Sequence, residues 1–261
     1  MKQPIVIIGI GEIGTIFARG CLRLGHPIYP ITRDMDMQTE AQSIPDPALV
    51  IVAVGEADLH STLTQLPSVW KSRLALIQNE LLPSDWQRHG LNDPSIISVW
   101  FEKKRGQDVK IVVPSPLYGA NAALLAASLN TLDIPHYLVH DHYQLLFELV
   151  RKNYYILVSN IAGLKVGGTV GALWAQHPEL VQAIAHDVHA LQQHLTGKTL
   201  DHAELLQAML VAFAGDPEHQ CMGRSAPARL QRALQMADAA GLAVPTLRDI
   251  ATSRSETDTG F

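Results

Sequence analysis

Through the first half of the chain, short apolar runs rich in Val and Ile alternate with segments of helical period. The runs are residues 4–8, 27–31, 48–54, 74–78, 96–101 and 109–113, with a further one at 136–139. Several are apolar without alternation, as expected of strands buried on both faces of a parallel sheet. Between them, helices are expected over 11–24, 58–66, 83–89 and 120–132, and Gly25 closes the first. Lys103-Lys104-Arg105-Gly106-Gln107 reads as a hairpin turn joining the fifth and sixth strands, which would make the sheet locally antiparallel there.

The pattern changes at Asp141. Leu145, Leu149, Lys152, Ile156 and Asn160 follow at helical spacing, predicting a helix over 143–162. Gly163, Gly167, Gly168 and Gly171 are expected to form a loop. Leu180, Ile184, Val188, Leu191 and Leu195 make a second apolar stripe, and helices are expected over 202–213 and 226–240. Gly241 ends the last helix, Pro245 is expected to forbid its continuation, and 252–261 reads as a frayed polar tail. The fold class predicted is α/β: a Rossmann-type doubly wound sheet over 1–140, followed by an all-helical domain over 141–261.

The first strand runs into Gly9-Ile10-Gly11-Glu12-Ile13-Gly14, three glycines in the G-x-G-x-x-G register of a dinucleotide-binding turn. Gly9 permits the tight turn, Gly11 lets the backbone approach a pyrophosphate, and Gly14 lets the helix pack close to the strand. The pyrophosphate would then rest on free N–H groups at the positive end of the helix dipole. The second strand ends Thr32-Arg33-Asp34. Thr32 and Arg33 suit the 2′-phosphate of NADP(H), whereas an acid such as Asp34 would take the ribose hydroxyls of NAD. NADP(H) is the expected cofactor, unless Arg33 is only a solvated loop residue. Asn79, just past the fourth strand, could hold the nicotinamide amide or a substrate oxygen, or simply make a turn.

A hydride transfer to a carbonyl needs a proton donor or cation beside the forming alkoxide. Lys152 sits within an apolar helical stripe, where a lysine is costly without a role or partner, though a surface lysine on an amphipathic helix is the plainer reading. Asn160 lies two turns along the same face, while Arg151 and Asn153 flank the lysine as its expected solvated side.

Composition narrows the partners. The 261 residues are 47% apolar and 17% charged, enough for real cores, and a net charge of −5 gives no reason to expect nucleic acid or an anionic membrane. An anionic substrate would have to be captured locally. Cys21 and Cys221 are far apart, which argues against a disulfide framework and for a reducing, cytoplasmic location. The chain enters an apolar strand after Met1, Lys2, Gln3 and Pro4, unlike a secretory leader, and contains no run long enough to span a membrane. His186 and His189 are one turn apart, and His136, His140 and His142 cluster, yet none has metal-ligand spacing, so no metal is expected. Ser115 lies between prolines, without a nucleophile elbow.

Taken in order, several pieces resemble the ketopantoate reductase (2-dehydropantoate 2-reductase) family over nearly the whole chain. They are the glycine triplet, Gly25-His26 leading to Arg33, Gln78-Asn79, Lys104-Arg105-Gly106, Glu148-Leu149-Val150-Arg151-Lys152, Ser159-Asn160, His177-Pro178 and Gly241-Leu242-Ala243-Val244-Pro245. The resemblance implies an NADPH-dependent reductase of a small 2-oxo acid, in pantothenate biosynthesis. It implies that Arg33 reads the 2′-phosphate, that Asn79 serves cofactor and substrate, and that Lys152 stabilises and protonates the ketone oxygen. Asn160 and Ser225 would then bind substrate. The chain departs from the family pattern where Ile156 replaces an asparagine, Ser225 stands near a glutamate position, and Gly55-Glu56 stands where a lysine is frequent. Those departures leave open a different small oxo substrate, or an NADP-binding protein without catalysis. The partners expected are the oxo acid and a second copy of the chain, with no nucleic acid or membrane.

Overall fold

The computed structural model describes residues 2–258, with side chains through residue 253. It divides into two compact units, Met1–Glu148 and Leu149–Phe261.

In the first unit, β1 (Ile5–Ile8) leads to α1 (Glu12–Arg23), β2 (Ile28–Ile31), α2 (Met37–Ser43) and β3 (Leu49–Val52). A 3-10 turn over Glu56–Asp58 precedes α3 (Leu59–Thr64), and a second over Ser68–Arg73 precedes β4 (Leu74–Leu76). Then come α4 (Pro83–Gln87), β5 (Ser95–Ile97), β6 (Phe101–Glu102), β7 (Lys110–Ile111), β8 (Ser115–Tyr118), α5 (Ala122–Asn130) and β9 (His136–Leu138). Seven strands form one sheet in the order β2-β1-β3-β4-β5-β8-β9, parallel except between β5 and β8. The chain winds from β1 to β2 on one side and to β3 on the other, so a topological switch point lies between β1 and β3.

The Val/Ile runs of β1 and β3 are buried on both faces. Phe17, Cys21, Leu125 and Leu129 cover one face, each fully buried. Side chains of this size stabilise the fold by roughly 1.5–3 kcal/mol apiece. α1 meets α5 closely because Gly20 has no side chain, and a Cβ there would stand 2.5 Å from the carbonyl oxygen of Ser128. Burial pushes the Cys21 thiol up to about 11, so it behaves as a small apolar residue.

Two expectations for this unit need correction. β6 and β7 pair as a separate two-stranded ribbon, Phe101 opposite Ile111, rather than within the main sheet. The antiparallel member of the sheet is β8, a strand absent from the sequence reading, in which Pro114 and Pro116 bracket Ser115. The sheet tolerates Pro116 because its carbonyl still accepts from the Ser98 N–H at 3.1 Å. α2, which begins at Met37 after an Asp36 cap bonded to the Thr39 N–H at 2.9 Å, is also absent from the sequence reading.

The second unit is built on α6 (His142–Val166), whose residues to Glu148 belong to the first unit. It continues through α7 (Val170–Gln176), α8 (Pro178–Thr196), α9 (His202–Gly215), α10 (Ala226–Ala240) and α11 (Pro245–Asp258). α6 is buried on most of its circumference, with Val150, Tyr154, Val158 and Ile161 inaccessible. The flanks of Lys152 are therefore not solvated. Asn153 is buried and donates to Gln192 Oε1 at 3.0 Å, and Arg151 is buried and donates from Nε to the Ala208 carbonyl at 3.0 Å. Of the glycines expected in a loop, Gly163 lies within α6 and Gly171 within α7. Each accommodates the segment following α9: a Cβ at Gly163 would stand 2.8 Å from the Cys221 Cβ, and one at Gly171 2.8 Å from the Pro217 Cβ.

The preceding helix ends at Ala240 with Gly241 as its cap, as expected, but Pro245 also opens α11, a helix absent from the sequence reading. At the first helical position its missing N–H costs nothing. The cap is supplied from α8 by buried Asp187, whose Oδ2 accepts the Leu247 N–H at 3.1 Å. Residues 252–258 thus belong to α11, and 259–261 lie outside the described residues.

His186 and His189 on α8 meet His202 at the start of α9 and the buried Tyr154 hydroxyl on α6. Tyr154 Oη lies 2.5 Å from His189 Nδ1 and 3.2 Å from His202 Nδ1. Burial, followed by the neighbouring imidazoles, holds His189 and His202 below the ordinary 6.5, and Asp201 only partly opposes this. The unfolded chain therefore takes up protons first as the pH falls through about 6.5, and stability that is full above that value is lost towards the lower folded-state values. Lowering the pH from about 7.5 to about 5.5 should reduce the melting temperature by a few degrees, and His202→Gln should flatten that slope. Equal slopes for variant and parent would remove the cluster as the cause.

Candidate functional site

The carboxyl ends of β1, β2 and β3 open into one cavity of about 540 Å³. It is lined by Gly9, Ile10 and Gly11 after β1, Thr32 and Arg33 after β2, and Ala53, Val54 and Gly55 after β3. Met35, Asp58 and the α3 residues Ser61 and Thr62 are also among its lining. That volume suits a small-molecule or cofactor pocket, and it lies at the switch point where open α/β sheets bind ligands.

The three glycines are required for different reasons. Gly9 has φ +93°, and a Cβ on it would approach the Ala53 carbonyl oxygen to 2.9 Å. Gly14 is packed so tightly that a Cβ would stand 2.3 Å from the Gly9 carbonyl oxygen. Gly11 has no protein atom within 4 Å of an added Cβ, and its φ of −83° suits any residue. Packing thus explains Gly9 and Gly14 but not Gly11, whose bare backbone faces open space. Gly11 is also the N-cap of α1 and offers no side-chain cap, so the first-turn N–H groups are left for an anion. These residues fit a dinucleotide pyrophosphate.

Glu12 opens α1 with its carboxylate 3.3 Å from Lys103 Nζ in the loop after β6, which offsets an acid near the anion position. Ile13 is part-buried against the core, so of Glu12, Ile13 and Gly14 none lines the cavity. Arg33 is exposed, and its Nη2 donates to Asp58 Oδ2 at 3.0 Å. Asn79 is exposed in a turn past β4 and does not line the cavity. Beneath it, buried Gln78 ties the strand ends together by donating to the Val52 carbonyl at 2.7 Å.

In the second unit Lys152 is part-buried on α6, with Nζ 5.7 Å from the centroid of the Tyr155 ring. Ile156, one turn on, is buried. Asn160, a turn further, is buried and held at both ends: Nδ2 donates to the Cys221 carbonyl at 3.1 Å, and Oδ1 accepts from Arg229 Nη1 at 2.9 Å. Ser225 is exposed at the N-cap of α10, with its hydroxyl making no cap bond. Asp216 is buried, 3.5 Å from His219 Nδ1, and Glu218 is exposed. Among the described residues, no group of three His, Cys, Asp or Glu is arranged to hold a metal ion.

Sequence reasoning missed Asp58, Lys103 and Arg229. Asp58 and Lys103 looked like ordinary helix-start and turn residues, and Arg229 carried only its place one turn after Ser225.

No family model matches the chain, and no curated protein matches it. Solved structures do. A 2-dehydropantoate 2-reductase from Methylococcus capsulatus superposes with a TM-score of 0.68 at 13% identity, covering 99% of this chain and 98% of that one. The fold is that of the ketopantoate reductases. A probable 2-dehydropantoate 2-reductase from Bacillus subtilis gives a TM-score of 0.67 at 18% identity, covering 96% and 98%. The ketopantoate reductase fold also extends to a D-mandelate dehydrogenase solved with NADH and anilino(oxo)acetate, at a TM-score of 0.62, 12% identity, and 95% and 96% coverage. Among the described residues, no helix is long and apolar enough to cross a membrane.

Proposed function

We propose that the protein is an NADP(H)-dependent oxidoreductase that reduces a small 2-oxo acid of the 2-dehydropantoate type to the 2-hydroxy acid. The observation that carries this reading is the open Gly11 at the bare N-terminus of α1, inside a switch-point cavity with Arg33 at its edge. The dinucleotide supplies the hydride. The N–H groups of the 9–14 loop hold its pyrophosphate, Thr32 and Arg33 bind the 2′-phosphate, and Asn79 orients the carboxamide. Lys152 places its ammonium against the ketone oxygen, stabilises the charge that develops there and donates the proton. Asn160, fixed by Arg229 and Cys221, sets the shape of the substrate side, and the Ser225 hydroxyl donates to the substrate carboxylate. A second copy of the chain as partner belongs to the same proposal.

A second reading keeps this chemistry and changes the substrate. Buried Ile156, one turn from Lys152, presents a branched alkyl group where an amide would favour a hydroxylated substrate. That favours a bulkier, less polar 2-oxo acid, in line with the aromatic oxo acid named for the mandelate dehydrogenase complex.

The test is NADPH oxidation by purified protein with ketopantoate, beside short aliphatic and aromatic 2-oxo acids. Turnover of ketopantoate supports the first reading, and turnover of an aromatic 2-oxo acid alone supports the second. Tight NADPH binding with no turnover of any member removes both and leaves a nucleotide-binding protein.

A further inference from the structure

An acid that accepts the ribose hydroxyls of an unphosphorylated cofactor ordinarily stands at the end of the second strand. Here that acid would be Asp34, but Asp34 is exposed and does not line the cavity, whereas Thr32, Arg33 and Met35 around it do. The carboxylate that lines the cavity beside Arg33 is Asp58, from the 3-10 turn after β3. Its Oδ2 lies 3.0 Å from Arg33 Nη2. Asp58 has no local duty for its side chain: α3 takes no side-chain cap from it, and the Ser61 hydroxyl bonds its carbonyl oxygen instead, at 3.0 Å.

We propose that Asp58 reads the ribose hydroxyls of an unphosphorylated dinucleotide, and that the Arg33–Asp58 pair lets this site take both NADPH and NADH, Asp58 setting the ratio. The proposal rests on the reading of the cavity as a nicotinamide dinucleotide site. Each partner of the pair suits one ligand. A carboxylate has about four lone-pair sites and a guanidinium five N–H groups, so one bond between them leaves capacity on both. Ribose hydroxyls donate to Asp58. A 2′-phosphate accepts from Arg33, but lies next to the like charge of Asp58, which weakens it. A lone arginine here would select NADP(H) outright, and a lone acid would select NAD(H). The pair blunts both preferences. Because both side chains are substantially exposed, at 90% and 49%, the effect is moderate and salt-sensitive.

The experiment is calorimetric titration of the full-length protein with 2′,5′-ADP and with 5′-ADP, which carry the discriminating group and need no turnover. Asp58→Asn should tighten 2′,5′-ADP and loosen 5′-ADP, each by about three- to tenfold, moving their affinity ratio by tenfold or more at low salt. Arg33→Gln should loosen 2′,5′-ADP by a similar factor and leave 5′-ADP nearly unchanged. Equal melting temperatures check that both variants are folded. An unchanged ratio in Asp58→Asn, or weaker 2′,5′-ADP binding, overturns the proposal and makes Asp58 merely a support for Arg33. Parent protein that binds neither nucleotide overturns the dinucleotide reading itself, and this proposal with it.

Discussion

Lys152→Ala is expected to lower kcat on the accepted 2-oxo acid by about 10²–10⁴-fold, the usual contribution of a positioned general acid, while leaving the dissociation constant for NADPH unchanged. The lysine sits on α6, which is buried on most of its circumference. Leu149 and Ile156, on adjacent turns of α6, are buried, and Tyr155 presents its ring to the ammonium at 5.7 Å. The residue as a whole is part-buried. An alkoxide that forms without a neighbouring cation must be stabilised by water alone, and the loss falls on the chemical step. The dinucleotide is assigned to Gly9, Gly11, Thr32 and Arg33, none of which lies on the helix that carries Lys152, so cofactor affinity provides an internal control. Lys152→Arg keeps the charge but holds its proton more tightly and is bulkier, so it should recover only a minor part of the rate. Steady-state kinetics with a parallel NADPH titration decide the matter. A kcat within threefold of the parent would remove Lys152 from the chemistry, and an equal loss of NADPH affinity would make its role structural.

The parts of this molecule that were legible in the sequence are those whose signal is local. β1, β3 and α1 follow from an uninterrupted Val/Ile run and one amphipathic period, and the phosphate loop follows from three glycines within six residues. What failed was set by partners far along the chain. Pro116 argues against a strand until the antiparallel neighbour β5 supplies bonds that do not need its N–H. α11 goes unread because Pro245 marks only the end of the preceding helix until Asp187 on α8 caps a new one, a contact spanning 60 residues. Arg151 and Asn153 look like a solvated face because charge and amide normally face water, yet each is buried with a partner from another helix. The site divides in the same way. Gly11 and Lys152 could be picked out from local context. Asp58 and Arg229 could not, because their meaning lies in bonds to Arg33 and Asn160 across 25 and 69 residues.

Two alanine substitutions three positions apart should fail in opposite ways. Gly14→Ala places a Cβ 2.3 Å from the Gly9 carbonyl oxygen and 3.3 Å from the Ala53 Cβ. The first atom is backbone on a turn already fixed by φ +93° at Gly9, so it cannot swing aside as a side-chain tip would. Helix and strand must separate, at a cost of about 1–3 kcal/mol, as in other overpacked cores. Gly11→Ala meets no atom within 4 Å and keeps an ordinary backbone conformation. Its stability should change by less than about 0.5 kcal/mol, or rise slightly as the unfolded chain loses freedom. The methyl group instead occupies the space where a pyrophosphate meets the α1 N–H groups, and NADPH affinity should fall by about tenfold or more. Urea unfolding and NADPH titration of both variants separate the two effects. A Gly11→Ala protein that binds NADPH like its parent would mean that the open face of Gly11 receives no phosphate. In that case the glycine triplet would be only a tight turn, and the assignment of a dinucleotide to this cavity would fall with it.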